Sequence, residues 1–148
     1  MLEVNVQSTL DKLVINFTEI KDNLGVEDIL DEAAALLLNR IRQRFLEEKD
    51  PDGNPWIPSQ AAIERRKEGG TGTLFDTGNL WRSIQLGDKR PLERIIGTFS
   101  DKDVSYGKYH QFGVPGRLPI RRFLGFGKSD EDLVNELLQQ RLERLLKA

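Results

Sequence analysis

The side chains best suited to contact or chemistry crowd into residues 106–126, YGKYHQFGVPGRLPIRRFLGF. The stretch holds five aromatics (Tyr106, Tyr109, Phe112, Phe123 and Phe126), the only histidine, His110, and four cations, Lys108, Arg117, Arg121 and Arg122, with no acid among them. Imidazole is the side chain most easily recruited for proton transfer near neutral pH. General acid–base work also needs a second, positioned group. His110 stands between Tyr109 and Gln111 with no serine or carboxylate at a telling spacing, so a packed, hydrogen-bonded histidine is expected here. Cations interleaved with rings suit two other tasks. They follow phosphates while rings stack on bases, or they contact protein, where arginine and aromatics concentrate. A net charge of −2 over 148 residues favours protein. Tyr106, Lys108, Tyr109, His110, Arg117, Arg121 and Arg122 are therefore the expected interface residues, with nucleic-acid contact as the alternative.

Other chemical patterns fail on inspection. Asp50, Asp52 and Asn54 alternate like the start of a calcium loop, but the glycine falls at the fourth loop position and Ala61 stands at the twelfth. A plain turn is expected. Gly127-Lys128-Ser129 resembles the end of a phosphate-binding loop, yet Arg122 occupies the place of its first glycine. Gly69, Gly70 and Gly72 lack a flanking strand-then-helix frame. Asn16-Phe17-Thr18 matches a glycosylation sequon but lies in a stretch that reads as helix. No active site, cofactor or metal is expected.

These residues must be held by the elements around them. Leu2, Val4 and Val6 alternate with polar residues and predict a first strand. Leu10, Leu13, Phe17, Ile20 and Leu24 recur at spacings of three and four, which predicts a helix opened by Ser8 and Asp11 and closed by Gly25. A longer helix is expected over residues 26–48, with acids early, arginines late and an apolar stripe of Leu30, Ala34, Leu37, Ile41 and Phe45. Asp50-Pro-Asp-Gly-Asn-Pro stops it. Ser59 is placed to cap a short helix over residues 60–67, and residues 68–73 read as a loop. Thr77 is placed to cap a single turn, followed by a hairpin of strands over 81–86 and 92–99. Ser129 is placed to cap a last helix bearing Leu133, Leu137, Leu138 and Leu142. The expected fold is α+β: long helices packed on a small, mostly antiparallel sheet, with a C-terminal helix, in one domain spanning 1–148.

The absence of cysteine removes disulfides and thiolate metal sites and suits a reducing compartment. No apolar run reaches the ~18 residues of a membrane span, and residues 1–13 lack the basic start and apolar core of a signal peptide. Charge is uneven. Residues 1–39 carry eight acids and two lysines, whereas residues 102–122 carry five cations and one acid. That asymmetry fits a bipolar subunit whose acidic end meets a neighbour's basic end.

Four motifs follow one another: DPDGNPWIP at 50–58, LFDTGNLWRSI at 74–84, YGKYHQFG at 106–113 and RLPIRRFLGF at 117–126. Together they resemble the virion-morphogenesis, or tail-completion, family of Mu-like tailed phages and prophages. Arg122 departs from that family's usual proline, and the glycine-rich insert at 69–72 is local to this chain. The resemblance implies a non-enzymatic virion structural protein, made in the host bacterial cytoplasm, acting in tail completion or head–tail joining. Its implied partners are copies of itself in a ring, and tail-tube or head–tail connector proteins. Trp56, Thr77, Gly78, Gly113 and Phe123 are expected to shape the surface rather than to react: the tryptophan as an anchor between prolines, Thr77-Gly78 as a helix start, and Gly113 with Gly107 as the brackets of a turn at Tyr109–His110–Gln111.

Overall fold

The computed structural model describes residues 3–8, 12–18, 26–70, 72–73, 78–88, 90–91, 93–99 and 106–147. In chain order the elements are β1 (Glu3–Ser8), β2 (Lys12–Thr18), α1 (Val26–Glu47), α2 (Gln60–Lys67), α3 (Asn79–Ser83), β3 (Ile84–Leu86), β4 (Glu93–Thr98), α4 (Tyr106–Phe112) and α5 (Lys128–Lys147). The strands form one antiparallel sheet in the order β1-β2-β4-β3. The α+β class read from the sequence is the class observed.

α1 is the central element because its apolar positions repeat at helical spacing for 22 residues. Ile29, Leu30, Ala33, Ala34, Leu37, Ile41 and Phe45 are all buried, and they pack on Ile84 of β3, Ile96 of β4, and Val134 and Leu138 of α5. Glu27 and Asp28 sit in the first turn and Arg44 in the last, as the helix dipole favours. Just past the helix, Glu48 takes a left-handed φ of 60°. Lys49 N–H then donates to the Arg44 carbonyl at 3.0 Å, closing the last turn. A side chain at that φ is strained. Here the Glu48 carboxylate accepts from Arg66 and from the Thr73 N–H at 2.6 Å, which gives the position its use.

Polar ties lock the layers. On the helix-facing side of β4, Arg94 is 4% exposed and binds Asp31 at 2.6 Å and Glu27 at 2.5 Å. It also donates to the carbonyls of Arg90 and Glu93 at 2.8 Å each. α5 runs antiparallel to α1. Asp130 at its start meets Arg40 and Arg44 late in α1, and Arg141 near its end meets Glu32 at 2.6 Å.

Several sequence expectations are corrected. The stretch expected as a helix over residues 10–24 contains β2, the strand between β1 and β4. Val14, Ile15 and Thr18 are β-branched and favour a strand, and pairing on both sides overrides the three-and-four spacing. Gly25 lies outside the described residues. Trp81, expected in a strand, stands in α3, and β3 begins only at Ile84. Thr77 is outside the described residues; Gly78, with φ 79°, precedes α3 without a side-chain cap. Tyr109, His110 and Gln111, expected as a turn between Gly107 and Gly113, belong to α4. Ser129 lies inside α5 rather than before it, and Asp130 accepts the Gly127 N–H at 2.9 Å instead. Ser59 caps α2 as expected, accepting from Ala62 N–H. The described residues of the 68–73 loop are tied down: Gly70 N–H donates to Arg65 O at 2.7 Å, and Arg65 donates to Gly72 O at 2.6 Å.

Candidate functional site

The aromatic, cationic stretch is built on three clamps. Phe123 and Leu124 are buried, and Phe123 meets Phe45 edge-on at 5.7 Å while Phe45 meets Trp56 at 5.3 Å. Trp56, itself 5% exposed, donates its indole N–H to the Arg122 carbonyl at 2.8 Å. Buried Gln111 supplies the second clamp. Its carbonyl accepts from Phe123 N–H and Leu124 N–H, both at 3.0 Å, and its amide donates to Leu124 O at 2.5 Å. One side chain thus serves the extended backbone as a neighbouring strand would.

The third clamp is Arg121. The sequence suggested an outward cation, but Arg121 is 4% exposed. Its guanidinium donates to Ile57 O at 2.7 Å and to His110 Nδ1 at 3.2 Å, and its backbone N–H donates to His110 O at 2.7 Å. The side chain is spent inside because two backbone segments and a ring nitrogen converge on it. Burial lowers its pKa from the ordinary value.

His110 is half-buried. A guanidinium has no acceptor, so its contact fixes His110 Nδ1 as unprotonated. Burial, and then the Arg121 charge, push the His110 pKa down to about 4. The neutral ring is therefore built in at neutral pH. The linkage sign follows: between about 4 and the unfolded value near 6.5 the unfolded chain binds the extra proton. Stability is present above that window and is lost as pH falls through it. His110→Asn, whose side-chain oxygen replaces Nδ1 as acceptor, is expected to flatten this dependence. Urea midpoints at pH 7 and pH 5 test it: an equal drop in both proteins would refute the assignment.

Outside these clamps much of the segment is exposed. Gly107 lets α4 approach Leu80 and Phe123; a Cβ there would meet Leu80 Cδ1 at 2.8 Å. Gly113, with φ 71°, ends α4 in the left-handed conformation that favours glycine. The chain then folds on itself, with Val114 N–H donating to Leu118 O at 2.9 Å and Leu118 N–H to Val114 O at 2.8 Å. This presents Tyr106, Tyr109 (50% exposed), Phe112 (46%) and Ile120 (63%) to solvent. An open cleft of about 460 Å³ runs along Phe112, Val114, Pro115, Leu118, Pro119 and Ile120. Lys108 is exposed, with Nζ 5.2 Å from the Tyr109 ring centre, and Arg117 is exposed on the loop. Arg122 is half-buried, 3.6 Å from Asp52.

Residues 4–143 match the phage virion morphogenesis family. The chain belongs to that family. Tail completion protein S of Escherichia phage P2 is similar, at 26% identity over 124 residues, covering 75% of this chain and 83% of the relative. No solved structure matches. Family membership places the protein among phage structural components of virion morphogenesis.

In this virion morphogenesis protein the four motifs form one unit. The first meets the fourth through Trp56 and Arg122 O, through Ile57 O and Arg121, and through Pro51, whose ring and carbonyl fill the space beside Gly125 and Gly127. The third meets the fourth through Gln111, and the second meets the third where Leu80 packs on Gly107. Residues 74–77 of the second motif lie outside the described residues. Gln111 and Asp130 were not singled out from the sequence, and Arg44 counted only among the late arginines of α1; nothing in their spacing marks their main partners, which lie outside their own helices.

Among the described residues, no group of histidine and carboxylate side chains is placed to hold a metal. No described helix is long and apolar enough to cross a membrane.

Proposed function

We propose that this protein acts without catalysis in completing the phage tail or joining it to the head, and that it docks on other virion proteins through residues 106–120. The observation that carries the reading is the contrast within the stretch of residues 106–123. Gln111, Arg121 and Phe123 are buried to fix its shape, while Tyr109, Phe112 and Ile120 are held in water. A rigid apolar surface costs little ordering on contact and suits recognition. Similarity to a tail completion protein supports the assignment.

The geometry supports protein contact over nucleic acid. Arg121 is engaged inside and Arg122 stands near Asp52, so Lys108 and Arg117 are the exposed cations of the segment. Two phosphate contacts would give weak, shallowly salt-dependent binding. As for His110, its lowered pKa makes it a poor base at neutral pH. The ring oligomer and the location in the virion, after assembly in the host cytoplasm, belong to the same proposal and rest on the family resemblance.

The test is complementation of a phage lacking this gene. Phe112→Ala with Ile120→Asp is expected to abolish the yield of joined, infectious particles, while circular dichroism stays that of the parent. Full yield from the folded variant would overturn the proposed surface.

A further inference from the structure

We infer that the cleft along residues 112–120 is an anchor pocket for an acidic segment of a different virion protein. One large apolar side chain of that segment enters the cleft, and its carboxylates face Lys108 and Arg117. This rests on the docking reading above and names the partner's chemistry.

Size and stiffness come first. A volume of about 460 Å³ lies within the range of ~300–1,000 Å³ typical of ligand clefts. Its walls are mainly apolar, with Arg117 among them. The Val114–Leu118 hydrogen bonds, the rings of Pro115 and Pro119, and the bond from Arg121 N–H to His110 O hold them in place. A preformed, open cleft of this kind suits a single aromatic or aliphatic anchor laid along it.

Charge then selects the occupant. Residues 106–126 contain no acid. Lys108 and Arg117 are exposed beside the apolar patch, so a neighbouring carboxylate gains and a neighbouring cation is repelled.

The acidic pole at the start of α1 in a second copy is the obvious source of carboxylates within this chain, and the structure argues against that pole. Of the four acids in the first turns of α1, Glu27 and Asp31 are bound to Arg94 and Glu32 to Arg141. The acidic pole seen in the sequence is therefore largely neutralised from within at the described side chains. That favours a heterologous partner.

The probe is tails purified from a phage lacking this gene, and the measurement is cosedimentation of labelled protein at about 50 mM and about 500 mM salt, where the screening length falls severalfold. The charge reversal Lys108→Glu/Arg117→Glu is expected to weaken binding roughly tenfold at low salt, with the gap narrowing at high salt. Ile120→Asp is expected to block binding at both. If charge reversal is neutral while Ile120→Asp still blocks, the acidic partner is refuted and the docking surface stands. If neither variant matters, both fall. Self-association or duplex DNA binding that the charge reversal abolishes, read by sedimentation and by gel shift, would instead assign the cleft to a second copy or to nucleic acid and overturn the inference. All substituted positions are exposed, and Lys108→Gln/Arg117→Gln serves as a milder pair should the reversal perturb folding.

Discussion

Asp130→Asn is expected to destabilise the fold by about 3–5 kcal/mol, the cost of breaking a buried ion pair from one side. Asp130 is fully buried and accepts from Arg44 at 2.6 and 2.7 Å, from Arg40 at 2.5 Å and from Gly127 N–H at 2.9 Å. Asparagine keeps the shape and loses the charge. Arg40 is nearer the surface and can turn to water, but Arg44 is 8% exposed and its Nε already lacks a partner. The uncompensated cation would sit between α1 and the start of α5. Urea unfolding measures the loss. The paired replacement Arg44→Met/Asp130→Leu is expected to recover much of it, because it removes both charges at once. A loss below about 1 kcal/mol in the single variant would show that the cluster carries little of the α1–α5 contact.

The second large effect is expected at Gln111. Gln111→Leu preserves volume and removes three hydrogen bonds, leaving Phe123 N–H, Leu124 N–H and Leu124 O without this partner. Each buried polar group left unpaired costs about 1–3 kcal/mol, so a loss of about 3 kcal/mol or more is expected. The effect should reach function, because the same backbone carries Arg121 and the wall of the cleft. Two measurements check it: the unfolding midpoint, and complementation at a temperature where the variant stays folded. Wild-type stability in Gln111→Leu would mean that water or a shifted backbone satisfies these groups.

How much could be read beforehand varies from element to element. α1 and α2 were legible to within a residue or so, because their signals are local: apolar spacing, early acids, Ser59 as a cap, a Pro–Gly turn beyond. β2 was misread because leucine and phenylalanine spacing imitated a helix, while the pairing with β1 and β4 that decides the matter involves distant residues. α4 was read as a turn because Gly107 and Gly113 look like punctuation. In the fold Gly107 is the contact point with Leu80, and Gly113 alone ends the helix.

The sequence by itself determined the α+β class, the long central helix, the order of the four motifs and the family they point to. It also placed the exposed rings, Lys108 and Arg117 in one cationic stretch. The tertiary structure alone decided which members of that stretch face outward. Arg121 turns in because Ile57 O and His110 meet it, Gln111 because the backbone at residues 123–124 needs a partner, and three α1 acids lose their outward charge to Arg94 and Arg141. Composition and periodicity report what a side chain is and which face it prefers. Whether a charge is spent inside the molecule or left for a partner depends on groups brought together from more than 60 residues away, and no local pattern encodes that meeting.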